Sequence, residues 1–162
     1  IIVIDAPPSM QLLIVGKARL DYEIYNLNKL KNFVKINNLD DRVIFKGSLW
    51  GVDKYKEIAS SKMLILPSKS ENFGNVVTES LSQGTPVIAS FNTPWSILND
   101  YKAGRWIDSE INSNILYDEI LEILQLNKNE FNKLRNQAIT LCKKEFDINL
   151  KIYEWINLYK SL

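Results

Sequence analysis

Between residues 11 and 107, short apolar runs alternate with stretches of helical spacing. Runs of strand length fall at residues 11–15, 43–46, 63–66, 86–89 and 105–107, each bounded by Gly, Pro, Ser or Asp, and read as short buried strands. Between them, residues 22–36 place Ile24, Leu27, Leu30 and Val34 at helical intervals, and residues 52–60 and 75–83 share that period. Strand–helix–strand order implies right-handed crossovers, because a twisted strand and a right-handed helix pack back onto the sheet only that way. The expected fold class is α/β, a mostly parallel sheet covered by helices on both faces.

Past residue 112 the strand signal stops and an all-helical extension is expected. Ile115, Leu116, Ile120 and Ile123 mark one helix; Phe131, Leu134, Ala138 and Leu141 a second; and Ile148, Ile152, Trp155 and Tyr159 a third. Their Lys/Glu faces read as solvated surface. No repeat, low-complexity tract or linker interrupts the chain, so residues 1–162 are read as one domain. The start is ambiguous: Ile1-Ile2-Val3-Ile4 fits a strand or the tail of a helix, and Pro7-Pro8 says only that an element ends there. It has neither a basic leader nor a small-residue cleavage site, so it is not read as a signal peptide, and the chain is expected to begin inside a larger protein.

Composition narrows the chemistry. With 20 Lys and Arg against 19 Asp and Glu, no global field recruits nucleic acid or an anionic membrane, and a local site must choose any partner. No apolar run reaches the length of a bilayer span. The lone Cys142 has no internal disulfide partner, which favours a reducing compartment. Histidine is absent, removing the commonest general base and metal ligand and leaving proton transfer to carboxylates or to a partner.

The segment from Leu66 to Ala89 carries the most information. It runs strand, polar loop, helix, tight turn, strand, and in an open parallel sheet ligands bind beyond the carboxyl ends of strands, which is where the loop 67–74 lies. Gly74 permits a close approach of backbone to a ligand, and the first amides of the following helix lack intrahelical acceptors. Those donors and the positive end of the helix dipole suit a phosphate. Glu79 lies four residues after Asn75, on nearly the same side of the helix, where a carboxylate can accept two hydrogen bonds from a ribose diol. Glu71, on the loop, is placed to meet a sugar hydroxyl or to stabilise positive charge developing at an anomeric carbon. Either acid taken alone has a plainer reading, Glu79 as a dipole-stabilised carboxylate and Glu71 as surface.

This unit resembles the donor-binding signature of glycosyltransferase family 4, the retaining group with the two-domain GT-B fold. Glu71 and Glu79 match its E-x7-E pair, and Ser68, Ser70, Phe73, Gly74, Gly84, Pro86, Val87 and Ile88 match positions around it. The likeness extends more loosely from Leu12 to about Tyr159. It implies a Rossmann-like C-terminal half of a GT-B enzyme, with an acceptor-binding N-terminal domain outside these residues. It further implies that Glu79 binds the ribose of a nucleotide diphosphate sugar and that Glu71 is the catalytic residue at the sugar. Asn72 and the amides of Phe73, Gly74, Asn75 and Val76 would face the donor sugar and diphosphate. By the same resemblance Gly47, Ser48 and Leu49 touch the nucleobase through backbone, and Gly16 and Lys17 lie at the donor cleft. For Lys17 and Arg19, a phosphate contact and a solvated loop charge both stay open.

The resemblance implies no cofactor and no metal, the sugar nucleotide being a substrate. The implied partners are that donor, an acceptor glycan or lipid-linked saccharide, and the N-terminal domain of the same enzyme; nucleic acid is not among them. Bacterial surface polysaccharide or lipopolysaccharide synthesis is the implied setting, in the cytoplasm, with the full enzyme docking peripherally on the inner membrane face. The isolated fragment would be inactive, and its last helix would leave part of an aromatic face exposed where relatives cross to the other domain. Two departures stand out. The strand ending in Gly-Arg, followed by a Lys, that clamps the diphosphate in relatives has no counterpart here, and a position reading T-P-W-E in a related subgroup is Thr93-Pro94-Trp95-Ser96, without the acid. Trp95 and Trp106 are expected to pack rather than line a cleft. Rival readings are a sugar-nucleotide epimerase or a phosphorylase, neither of which has its own active-site signature here, and a non-catalytic sugar- or protein-binding module of the same fold, which the intact acid pair opposes. A dinucleotide-dependent dehydrogenase needs a G-x-G-x-x-G, whereas Gly16 stands alone.

Overall fold

The computed structural model describes residues 10–161; the ambiguous segment at the start of the chain lies outside them. The alternation read from the sequence is realised as β1 (Leu12–Val15), α1 (Asp21–Ile36), β2 (Val43–Gly47), α2 (Gly51–Ser60), β3 (Leu64–Leu66), α3 (Asn75–Ser82), β4 (Val87–Ser90), α4 (Ile97–Asp100) and β5 (Gly104–Ile107). The helical extension follows as α5 (Ser113–Gln125), α6 (Lys128–Phe146) and α7 (Ile148–Ser161). Every strand pair is parallel, in two sheets, β1-β2 and β3-β4-β5. The chain divides into two compact units, one ending at Lys54 and one beginning at Tyr55.

In the first unit β1 and β2 pair from Leu12↔Val43 to Val15↔Gly47, with a register irregularity between Ile14 and Val15. The crossover helix α1 turns Val34 inward onto Leu39 and Val43, and Leu12, Ile14, Phe33 and Phe45 close around them. Its N-terminus is capped from within: the Glu23 carboxylate accepts the backbone N–H groups of Arg19 at 2.7 Å and Leu20 at 3.1 Å. These bonds hold its pKa below the ordinary carboxylate value.

In the second unit β4 is central, and all four of its residues are buried, as a strand covered on both faces must be. Val87 and Ala89 share one cluster with Val77 and Leu81 of α3, Ala138 and Leu141 of α6, and Trp95 and Leu98. Ile88 points to the other face and pairs in register with Arg105. There Arg105 meets Glu119 and Glu122 of α5, each at 3.3 Å, and α5 buries Leu116, Ile120 and Ile123. Burial raises the Glu119 carboxyl pKa, Glu122 adds to the rise, and Arg105 opposes both. Each fully buried leucine or isoleucine contributes roughly 1.5–3 kcal/mol by leaving water, so these two faces, not the partly exposed ion pairs, hold the sheet.

Boundaries differ from the sequence reading where backbone chemistry decides. Pro86 has no N–H for the ladder; its carbonyl accepts the Leu64 N–H at 2.9 Å, and β4 starts at Val87. The short α4 gave no periodic signal, yet its Asn99 side chain does structural work at the sheet edge. Its amide accepts the Trp106 N–H at 2.8 Å and donates to the Trp106 carbonyl at 2.9 Å, pairing backbone groups that an edge strand leaves open. As expected, α7 leaves Ile148, Tyr153, Trp155 and Tyr159 exposed. Among the described residues no helix is long and apolar enough to cross a membrane.

Gly104 sets the spacing of β4 and β5, since a methyl group there would stand 2.0 Å from the Val87 carbonyl oxygen. Gly104→Ala is expected to cost at least about 1–3 kcal/mol, seen as a lower midpoint in urea unfolding followed by circular dichroism; an unchanged midpoint would contradict this packing.

Candidate functional site

The chain leaves β3 at Leu66 and enters α3 at Asn75, so the intervening loop lies beyond the carboxyl end of a strand. Ser90 at the end of β4 and Trp95 just beyond it fasten both ends of that loop. Near its start, the buried Ser90 hydroxyl donates to the Ser68 carbonyl at 2.6 Å. At its end, the Trp95 indole N–H donates to the Phe73 carbonyl at 2.5 Å. The Phe73 ring lies against Trp95 and Phe146 with centroids 5.2 and 5.9 Å away, and the Trp95 and Phe146 rings are 5.3 Å apart. Such aromatic contacts add about 0.5–1.5 kcal/mol each beyond area burial. Lys69, Ser70, Glu71 and Asn72 lie between the two fastenings.

The helix entry depends on Gly74, the N-cap residue, at φ 75° and ψ 68°. That left-handed conformation costs glycine nothing. A β-carbon there would also stand 3.1 Å from Glu71 Cγ and 3.3 Å from Leu66 Cδ2, so the missing side chain lets Glu71 fold close against the turn. No side chain caps α3 and its first turn holds no acid, in contrast with α1, where Glu23 occupies the terminal amides. Because helix-terminal amides lack acceptors a turn earlier, those of Asn75 and Val76 are oriented out of the helix end. Asn75, Glu79 and Ser82 line the side of α3 opposite the buried Val77 and Leu81, with Glu79 half-buried. The turn after α3 is locked by Ser80, whose hydroxyl donates to the Thr85 carbonyl at 2.9 Å.

The sequence-predicted residues therefore form two groups, one in each unit. Glu71, Asn72, Phe73, Gly74, Asn75, Val76 and Glu79 gather at the loop and first turns of α3 in the second unit. Gly16, Lys17, Gly47, Ser48 and Leu49 belong to the first unit. There the Gly16 N–H donates to the Gly47 carbonyl at 2.8 Å, bringing both glycines to the carboxyl edge of β1 and β2, while Lys17 is exposed. Trp95 is 1% exposed, and the Trp106 indole N–H donates to the Thr93 carbonyl at 3.2 Å. Both tryptophans pack, as expected. What the sequence reading missed is that Ser90 and Trp95 bind the backbone of the loop, because a contact across 22 residues leaves no periodic trace.

Comparison with known proteins identifies the fold and the family. The family described as glycosyl transferases group 1 matches residues 4–141. Mannosylfructose-phosphate synthase of Agrobacterium fabrum is 31% identical over 87 residues, which are 53% of this chain and 19% of that protein. Among solved structures, HepE of Anabaena, in complex with UDP and glucose, superposes with a TM-score of 0.82 at 23% identity, covering 99% of this chain and 44% of that one. Sucrose-phosphate synthase of Thermosynechococcus elongatus gives 0.80 at 24% identity, covering 95% and 39%. The C-terminal domain of a group 1 family protein, LpcC, of Francisella tularensis gives 0.77 at 18% identity, covering 91% and 75%. The chain thus spans less than half the length of HepE and about a fifth of the curated relative. At such identities the solved structures speak to the fold, while the match over most of the sequence speaks to descent: the chain belongs to the glycosyl transferases group 1 family.

Proposed function

We propose that this chain is the donor-binding, C-terminal half of a retaining glycosyltransferase of family 4. In this reading it binds a nucleotide diphosphate sugar and presents the anomeric carbon to an acceptor held by another domain. The observation that carries it is the fastened loop 67–74, which leads through a left-handed glycine into an uncapped helix between Glu71 and Glu79. Family membership, the UDP-bound HepE neighbour and the likeness to a C-terminal domain of LpcC support the same reading.

The donor diphosphate meets the Gly74, Asn75 and Val76 amides at the positive end of α3, where a developing anion is stabilised without reorganisation. One turn along, the Glu79 carboxylate accepts hydrogen bonds from the ribose diol. Glu71, packed against the Gly74 turn, faces the sugar, where its negative charge stabilises the positive charge that grows at the anomeric carbon as the diphosphate departs. Phe73 and Asn72 frame the sugar. No metal or cofactor has a role in this scheme, in which the helix amides offset the charge of the leaving group. The acceptor is a glycan or lipid-linked saccharide of the bacterial surface, and the full enzyme works in the cytoplasm, docking peripherally on the membrane.

Calorimetric titration of the chain with UDP, GDP and ADP tests the ribose assignment. One nucleotide is expected to bind, and Glu79→Ala to weaken it at least about tenfold, or about 1.4 kcal/mol; equal affinities would refute the assignment. Glu71→Gln is expected to leave nucleotide affinity within about threefold while lowering kcat of the complete two-domain enzyme by about two orders of magnitude; an unchanged kcat would remove Glu71 from the chemistry.

A further inference from the structure

We propose that Trp95 is a positioning residue that aims the Gly74 N–H at the donor diphosphate, an inference that rests on the donor-site reading above. The argument is one of peptide geometry. In a trans peptide the carbonyl of one residue and the N–H of the next lie in one plane and point in opposite directions. The Phe73 carbonyl accepts the Trp95 indole N–H at 2.5 Å, and Trp95 is 1% exposed, so that carbonyl points into the core. The N–H across the same peptide bond, that of Gly74, is thereby turned outward, away from Trp95. A rotated peptide would bury the donor and present a carbonyl oxygen to the diphosphate, replacing attraction by repulsion.

Two further observations fit this role. The Ser90 hydroxyl holds the Ser68 carbonyl inward at 2.6 Å, which turns the Lys69 N–H outward by the same geometry, so both ends of the loop are set from the β4 exit. The Phe73 side chain, 42% exposed, lies tilted against the indole that holds its own carbonyl, so ring and peptide share one buried anchor. The left-handed Gly74 that follows then carries the aimed amide into the first turn of α3. Trp95 makes no contact with substrate in this account; it acts through the peptide it orients.

The test separates the hydrogen bond from the packing. Trp95→Phe keeps a ring against Phe73 and Phe146 but removes the N–H, whereas Phe146→Leu weakens the aromatic cluster and keeps it. UDP, GDP and ADP affinities are measured by calorimetry on the wild-type chain, both variants and Glu79→Ala. Trp95→Phe is expected to weaken nucleotide binding about tenfold, and Phe146→Leu to leave it within about twofold. If Trp95→Phe does not fold, the benzothiophene analogue of tryptophan at position 95, equal in shape and lacking the donor, carries the same prediction. Wild-type affinity in the Trp95 variant, or equal losses in the two variants, overturns the positioning role; if Glu79→Ala still weakens binding, the donor-site reading stands without it. A wild-type chain that binds none of the three nucleotides overturns both.

Discussion

A loop that offers its amides to an anion must dispose of its carbonyls elsewhere, because each buried backbone oxygen left without a donor costs about 1–3 kcal/mol. In this chain the donors for the loop between β3 and α3 come from Ser90 and Trp95. That constraint reaches back through the second unit. Ser90 can stand under the loop because β4 is central and wholly buried. Trp95 can reach Phe73 because Leu98 of α4 and Leu141 and Phe146 of α6 pack around it in the same cluster. The helical extension therefore does more than cover the sheet: α6 closes the aromatic cluster on which the loop rests, and Tyr101 ties the end of α4 to it by donating to Glu145.

The fold was largely legible because burial leaves a period. Val77 and Leu81 on α3, Leu134, Ala138 and Leu141 on α6, and the unbroken apolar run of β4 are patterns that only one face of a helix or a doubly covered strand produces. The acid pair and Gly74 were legible for another reason, since a loop–helix junction concentrates its chemistry within a few consecutive residues. What was not legible depends on distance along the chain. The Asn99 amide pairing with the Trp106 backbone, the support given by Ser90 and the indole bond of Trp95 join residues whose spacing obeys no helical or strand period. α4, with four residues, is too short to show one.

The departure at Thr93-Pro94-Trp95-Ser96 takes on a physical meaning in this light. The acid of the related subgroup is absent, but the segment still serves the loop through its tryptophan, and the Thr93 hydroxyl donates to the Ser90 carbonyl at 2.6 Å, fixing the turn that brings Trp95 under Phe73. In this chain the proposed donor site thus rests on two layers, an exposed one of acids and amides and a buried one, Ser90 and Trp95, that orients them.

The central claim is that backbone amides at the start of α3 receive the donor's diphosphate, and backbone amide NMR during a titration with UDP tests it most directly. The account predicts that the largest shifts fall on Gly74, Asn75 and Val76, with smaller ones along the loop from Lys69. Saturable shifts confined to other elements, with those three amides unmoved, would contradict it.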